Sequence, residues 1–406
     1  MRTLNDTFGR RDFLLQGAAG AAGLTLASAL PGHATPPKKL KYGVAGSGNR
    51  SRNGHLPMLL NYLPEVEVVA LCDITPDALA GGLRVCGGST AGYNDYDRML
   101  AEHPELDAVV VIVPNFLHAD FTVRALEAGK HVLVEKPMAT HLADAHRMLE
   151  AARHKNLILQ VGLQSRYSSA FHRMAELIRQ RAIGDLEVVV ASLFRGDWNP
   201  RSWKYPDPKT GERTNWRFLT FTAGGSLLED GIHELDVIRW LVGADPRRIQ
   251  AQGGNCVYKD RQTIDNAQLL VDFSTGVHLT FAFSIFTPNA HEPGIKRFFG
   301  SEGEMYLEEQ SAGQDIVIHR YQGETERVFV PYRTSEEDTF WRGGPGNGDF
   351  DIETYRQHKA FAQSIMTGTP PFADGLVGRD AIHVPLAAEK SLRSGRVVGW
   401  EDDDKG

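Results

Sequence analysis

Lys41-Tyr42-Gly43-Val44-Ala45-Gly46-Ser47-Gly48-Asn49-Arg50-Ser51 sets a short apolar run against a glycine-punctuated turn. Residues 41–45 have strand character, and the six residues after them read G-x-G-x-x-S. In the dinucleotide-binding fingerprint the first glycine makes the tight turn and the second lets backbone approach a pyrophosphate. The third position needs only a small residue for helix–strand packing, and Ser51 is small. The pyrophosphate would rest on the N-terminus of the next helix, where backbone N–H groups point outward. A second apolar run, Glu67-Val68-Val69-Ala70-Leu71-Cys72, ends at Asp73, 25 residues after Gly48. A carboxylate there accepts from a ribose 2′-hydroxyl and repels a 2′-phosphate, so the spacing predicts NAD rather than NADP. Gly46, Ser47, Gly48, Asn49, Arg50 and Asp73 are the first candidate cofactor contacts.

Outward from this turn, strand and helix patterns alternate. Ala108-Val109-Val110-Val111-Ile112-Val113 is a nearly continuous β-branched run, as in a strand buried on both faces. Residues 131–135 and 157–161 repeat the pattern, with helical stretches at 117–128 and 142–152 between strands. The alternation predicts a doubly wound parallel sheet of Rossmann type at 35–160. From about residue 163 the texture changes. A helix at 170–181 leads to a strand at 186–191 and a polar loop at 195–220 rich in Trp, Arg and Asp. Later strands at 268–273, 277–285 and 315–319 alternate in character, which suits a large, mostly antiparallel open sheet with one face covered. Closing helices are expected at 351–366 and 381–394. The predicted class is α/β, with an α+β substrate domain at 161–400 and an acidic tail at 401–406.

Composition narrows the function. The chain has 406 residues, 42% hydrophobic and 23% charged, which fits two soluble domains. A net charge of -7 offers no basic excess to neutralise a phosphate backbone, so nucleic acid is disfavoured as a partner. Three cysteines (Cys72, Cys86, Cys256) without a C-x-x-C pair argue against a disulfide framework or a structural zinc site, and no metal is expected. One disulfide stays open as a reading. Near the start, Gly9-Arg10-Arg11-Asp12-Phe13-Leu14-Leu15 precedes an apolar run at 17–30 and small-residue sites at Ala27-Ser28-Ala29 and Gly32-His33-Ala34. That is the three-part layout of a secretory signal, and the paired arginines resemble a twin-arginine one. Residues 1–34 are read as a signal peptide, with an uncleaved anchor disfavoured because the run is short and glycine-rich. The expected location is periplasmic or extracellular, with no stable membrane span once the signal is removed. That pathway exports folded proteins, so a tightly held NAD is expected.

Three further motifs follow. Pro114-Asn115-Phe116-Leu117-His118 comes after the buried strand, and Glu135-Lys136-Pro137 ends the next. Gly224-Gly225-Ser226-Leu227-Leu228-Glu229-Asp230-Gly231-Ile232-His233-Glu234-Leu235-Asp236 lies in the second domain. With the fingerprint, this set resembles the Gfo/Idh/MocA oxidoreductases (glucose-fructose oxidoreductase, inositol dehydrogenase) over nearly the whole chain after the signal. Lys136 ends a parallel strand, where open α/β sheets place their ligands, and a residue before proline has restricted backbone. The resemblance implies that Lys136 contacts the reacting hydroxyl and that the Lys136–Pro137 bond is cis. It implies that His233 is the general acid/base, an imidazole being able to take a hydroxyl proton. It also implies that Asn115 and His118 line the nicotinamide side and that Pro114, Glu135 and Lys136 are further cofactor contacts; helix capping by Asn115 is the competing reading. Glu229 stands where an Asp is usual, so Asp230 beside it is the alternative catalytic acid. Asp236 and Glu229 share a helical face with His233. By the same resemblance the open sheet packs against another subunit, giving a homo-oligomer.

Gln164, Arg166, Arg195, Asp197, Trp198, Trp203, Asn215, Trp216 and Arg217 are candidates for a sugar pocket, together with His233 and Asp236. Aromatic faces with planar amides and guanidinium groups suit polyols. Arg166 and Trp216 lead that set. The expected activity is NAD-dependent interconversion of a sugar or cyclitol hydroxyl and ketone. The alternatives are a glycoside hydrolase that oxidises its substrate transiently with NAD, and a non-catalytic sugar-binding protein. His233-Glu234-Leu235-Asp236 is not H-E-x-x-H, and no G-x-S-x-G elbow occurs, so zinc-protease and serine-hydrolase chemistry are unsupported.

Overall fold

The computed structural model describes residues 39–197, 204–287, 294–340 and 348–400. The segments read as signal peptide and acidic tail lie outside the described residues, as do Trp198 and Trp203.

Six parallel strands build the first sheet: β1 (Leu40–Ala45), β2 (Val66–Cys72), β3 (Ala91–Tyr93), β4 (Ala108–Val111), β5 (His131–Val134) and β6 (Leu159–Val161). Their order is β3-β2-β1-β4-β5-β6. The direction of winding reverses between β1 and β4, which opens a crevice at the carboxyl ends of those two strands. β4 is buried at every position because helices cover both faces. β3 is not among the expected strands, since three residues centred on a glycine carry no apolar run. A Cβ on Gly92 would lie 2.7 Å from Leu83 Cδ1, so the glycine lets β3 sit against the helix Pro76–Cys86.

The second sheet is mostly antiparallel, as expected, and has nine strands in the order β16-β15-β14-β13-β7-β12-β11-β10-β17. They are β7 (Leu186–Phe194), β10 (Pro246–Gly254), β11 (Asn266–Phe273), β12 (His278–Ser284), β13 (Lys296–Gly300), β14 (Gly303–Glu309), β15 (Gly313–Arg320), β16 (Glu326–Pro331) and β17 (Val398–Gly399). The central β7–β12 pair is parallel. A small hairpin, β8 (Lys204–Pro206) with β9 (Arg213–Asn215), interrupts the polar loop. Alternation decides which face is covered: in β11 Ala267, Leu269, Val271 and Phe273 are buried while Gln268 and Leu270 face outward. The covered face packs on helices Ser169–Arg179, Ile232–Val242 and Gly375–Ser394 through Phe171, Met174, Leu235, Ile238 and Ala387. Each large apolar side chain buried there contributes about 1.5–3 kcal/mol.

One element crosses back. The helix Gly348–Thr367 comes late in the chain, yet its Ile352, Tyr355, Phe361 and Ala362 pack with Tyr42, Val44 and Leu133 of the first sheet. Cys72, Cys86 and Cys256 are free thiols, which closes the disulfide reading. No helix among the described residues is long and apolar enough to cross a membrane.

Candidate active site

The turn after β1 has the geometry its glycines require. Gly46 has φ +96°, and a Cβ there would lie 2.1 Å from the Ile112 carbonyl oxygen, so only glycine fits. A Cβ on Gly48 would meet nothing within 4 Å: this is open backbone of the kind a pyrophosphate approaches. Ser51 is buried, as its packing role demands. Helical backbone begins at Asn49 and Arg50 and continues through a π-helical turn, Ser51–His55. Asp73 stands at the end of β2 and also braces the turn. Its Oδ2 accepts from Ser47 N at 2.8 Å and Ser47 Oγ at 3.3 Å, and its Oδ1 accepts from Thr75 N at 2.8 Å.

The ends of β4 and β5 supply the next layer. The Lys136–Pro137 peptide is cis. Glu135 is buried, with Oε1 accepting from Arg50 Nε and facing His55 Nε2, each at 2.7 Å, and Oε2 accepting from Lys136 N at 2.9 Å. Burial opposes ionisation of Glu135, but Arg50, His55 and Lys136 outweigh it and hold the carboxyl well below its usual range. Pro114 precedes a single 3-10 turn, Asn115–Leu117. The Asn115 side chain does not cap that turn; its Nδ2 donates to Ala223 O at 3.0 Å and to Glu229 Oε2 at 2.7 Å. His118 turns to the backbone. Its Nδ1 lies 2.6 Å from Pro137 O and its Nε2 2.8 Å from Val113 O, and the ring is buried. Both ring nitrogens face backbone carbonyls, and the one N–H of the neutral ring ties His118 to the cis-proline turn or to the end of the preceding strand.

Across the crevice, the π-helical segment Leu227–Gly231 feeds the helix Ile232–Val242. Lys136 Nζ donates to the Glu229 carbonyl at 2.6 Å and lies 3.8 Å from Glu229 Oε2. Glu229 Oε1 accepts from Arg217 Nε at 2.7 Å. Burial would raise the Glu229 carboxyl, but the Lys136 and Arg217 charges and the Asn115 bond bring it down to about 2. His233 is lowered to about 3, chiefly by burial and then by the Lys136 ammonium. Its Nδ1 is buried and has no hydrogen-bond partner among the described residues. At neutral pH the pair is therefore a cation beside a neutral imidazole with a nitrogen to spare. Asp230 is engaged separately, its Oδ1 accepting from Arg195 Nη1 at 2.7 Å.

The expected sugar-pocket residues divide. Arg166 and Asp236 satisfy each other: Nε to Oδ2 is 2.7 Å, Nη2 to Oδ1 is 2.8 Å, and both side chains are buried. This bidentate pairing turns the two side chains toward each other and gives them an architectural role. Gln164 turns to the other side of the crevice, its Oε1 accepting from Arg50 Nη2 at 2.6 Å. Asp197 pairs with Arg261, which lies 3.8 Å over Phe218 and 3.7 Å over Tyr258. Trp216 stays at the site, with Arg217 4.3 Å over its ring and Asn215 Oδ1 accepting from Arg217 N at 3.1 Å.

The comparisons with known proteins agree with this geometry. The profile described as "Oxidoreductase family, NAD-binding Rossmann fold" (GFO_IDH_MocA) matches residues 40–163, and the "GFO/IDH/MocA C-terminal domain" matches 171–306. The chain belongs to the Gfo/Idh/MocA oxidoreductase family. Among its relatives is dTDP-3,4-didehydro-2,6-dideoxy-alpha-D-glucose 3-reductase of Streptomyces violaceoruber, 30% identical over 73% of this chain and 82% of the relative. Myo-inositol 2-dehydrogenase of Thermotoga maritima is 24% identical over 84% of this chain and 94% of that protein. Aldose-aldose oxidoreductase from Caulobacter crescentus, solved with glycerol, is 26% identical, covers 89% of this chain and all of its own (100%), and superposes with a TM-score of 0.71.

As a Gfo/Idh/MocA oxidoreductase, the chain has an NAD-binding Rossmann domain, and its relatives include a sugar 3-reductase and an inositol dehydrogenase. The residues present fit the dinucleotide: the backbone at Gly48 is open, and Asp73 braces the Gly46–Gly48 turn. Sequence reasoning did not find His55, Thr354 and His358, which join the network around Glu135. His55 lies in the fingerprint helix, but its partner is 303 positions away, and no local pattern marks that pairing.

Proposed function

We propose that this protein interconverts a secondary hydroxyl and a ketone on a sugar or cyclitol, with Lys136 and His233 acting on one oxygen. NAD, bound against the Gly46–Gly48 turn, supplies the hydride acceptor or donor. In the oxidative direction His233 takes the hydroxyl proton as the C–H bond breaks, and returns it in the reverse direction. The Lys136 ammonium holds the oxygen and stabilises its negative charge. Glu229 fixes that ammonium through its backbone carbonyl and stays ionised. Trp216 and Arg217 offer an apolar ring face and a planar donor for the polyol. The observation that carries this reading is the Lys136 ammonium poised against Glu229, beside a His233 ring that burial, and then the Lys136 charge, hold neutral and whose buried Nδ1 has no partner among the described residues. Absorbance of reduced cofactor tests it, using purified protein incubated with a panel of aldoses and inositols. Substrate-dependent reduction of NAD is expected. A protein that neither binds a nicotinamide dinucleotide nor changes any of these substrates would overturn it, and release of aglycone from a glycoside without reduced cofactor would favour the transient-oxidation hydrolase.

Three finer points belong to the same reading. Export follows a twin-arginine signal at residues 1–34; replacing Arg10 and Arg11 with Lys should retain a tagged protein in the cytoplasmic fraction. NAD leaves the cell with the folded chain, so heat-denatured protein should release it, and NAD should be preferred over NADP through Asp73. The outward face of the nine-stranded sheet mediates self-association, because Val188, Val190 and Leu270 are exposed there; sedimentation should show an oligomer.

A further inference from the structure

We infer that His358 and His55 form a two-imidazole positioning chain that fixes Glu135 beneath Lys136 from the C-terminal helix Gly348–Thr367. This rests on the reading of Lys136 as the residue that holds the reacting oxygen. His358 Nε2 lies 2.8 Å from His55 Nδ1, and His55 Nε2 lies 2.7 Å from Glu135 Oε1; both rings are fully buried (0% exposed). The order of protons along this chain is determined at its far end. Glu135 is an ionised carboxylate, so it only accepts, and His55 must carry its proton on Nε2. His55 Nδ1 is then a bare lone pair, and His358 must carry its proton on Nε2 to donate to it. His358 Nδ1 is left as an acceptor, and it has no partner among the described residues. The opposite polarity would set the His55 Nε2 lone pair against a carboxylate and leave an N–H donor orphaned at His358, the costlier defect. Burial keeps both rings neutral, which this arrangement requires.

The chain ends on the reacting side. Glu135 Oε2 accepts from Lys136 N at 2.9 Å, so the orientation of the carboxylate sets the peptide from which the ammonium extends. Thr354, one helical turn before His358, takes a second bond at 3.4 Å from Arg50 Nη2. The family profiles end at residue 306, so a helix outside both matched regions completes the support of the lysine.

The test combines a readout on the wild-type protein with a pair of variants. With ¹⁵N-histidine labelling, His55 and His358 should both appear as Nε2–H tautomers that do not titrate near neutral pH. H358Q keeps a donor toward His55 and should retain kcat. H358L removes it and should lower kcat about 10- to 100-fold while the Kd for NAD stays within about twofold. A purely structural role would make the two variants lose stability and activity together. Nδ1–H tautomers in the wild type, or equal kcat for H358Q and H358L, would overturn the inference. If the wild-type protein turns over no sugar, the functional reading fails while the tautomer measurement still decides the chain. Should H358L not fold, H55Q against H55F repeats the comparison at the other ring.

Discussion

Two charge clusters meet the helix that carries His233 and Asp236, and they are built on different principles. Arg166 and Asp236 form a closed pair, bidentate, with the guanidinium 5.6 Å over Trp240 and 5.6 Å over Phe372. Lys136, Glu229, Arg217 and His233 form an open one. There the ammonium contacts a carbonyl more closely than it contacts the carboxylate, and the imidazole keeps a nitrogen unbonded. Closed pairs hold architecture; open clusters keep groups available for a ligand, at a cost in stability. The comparison breaks if the closed pair proves necessary for turnover or the open one dispensable.

The largest effect should come from the open cluster. Lys136→Ala removes the cation at the reacting oxygen and should reduce kcat by about 10³-fold, the upper range for one stabilising donor. NAD binding should persist, because the Gly46–Gly48 cradle does not use the side chain. Fluorescence titration of NAD alongside steady-state kinetics checks both halves. Retained turnover would remove Lys136 from the chemistry.

The closed pair should answer in stability. Asp236→Leu strands a buried guanidinium and should destabilise by about 3–5 kcal/mol in urea unfolding. Adding Arg166→Met removes the stranded charge, and the double variant should recover most of that loss. If the pair is architectural only, the recovered double variant keeps kcat/KM within about threefold of wild type. A double variant that folds well but turns over poorly would return Arg166 and Asp236 to the sugar pocket.

That contrast also marks what the sequence made legible. The fingerprint and the alternation of strands each have a local cause, so the Rossmann sheet and the crevice were readable in advance; the cis-proline was expected only from the family resemblance that the E-K-P motif carries. Arg166 and Asp236 have the same residue types as a polyol site, and composition does not distinguish a side chain facing a ligand from one facing its mate 70 positions away. His118 is a related case: its nearness to the site was legible, but nothing local announced that its ring nitrogens face two backbone carbonyls. β3 and the return of the helix Gly348–Thr367 to the first sheet depend on packing across the chain, which no local period encodes.

A smaller effect separates the clusters by pH. The folded pKa of His233 is depressed from 6.5 to about 3, so between those values the unfolded chain binds a proton the folded chain does not. Stability therefore falls as pH drops below 6.5, at up to about 1.4 kcal/mol per pH unit for one such site. Glu229 adds a separate loss at lower pH, between its ordinary 4.5 and about 2. In His233→Asn the slope of unfolding free energy between pH 6.5 and 5 should be shallower than in wild type by about 1 kcal/mol per unit. An unchanged slope would mean that the ring is not held neutral by burial and Lys136.

The smallest effect tests the residue that departs from the usual pattern of the family. Glu229 reaches both Arg217 and Asn115, at 2.7 Å each, and its backbone carbonyl holds Lys136. Glu229→Asp keeps the charge and that carbonyl but shortens the arm by one methylene, so one of the two side-chain bonds must lengthen. Because the ammonium is held mainly by backbone, kcat should fall only about 3- to 10-fold, with KM nearly unchanged. Glu229→Gln keeps the length and loses the charge, leaving Lys136 and Arg217 without their shared counter-ion, and should be the worse of the two. Kinetics of both variants decide the role of the carboxylate. Gln worse than Asp makes it an electrostatic support for the lysine. A loss in Glu229→Asp as deep as that of Lys136→Ala would instead place the carboxylate itself in the proton transfer.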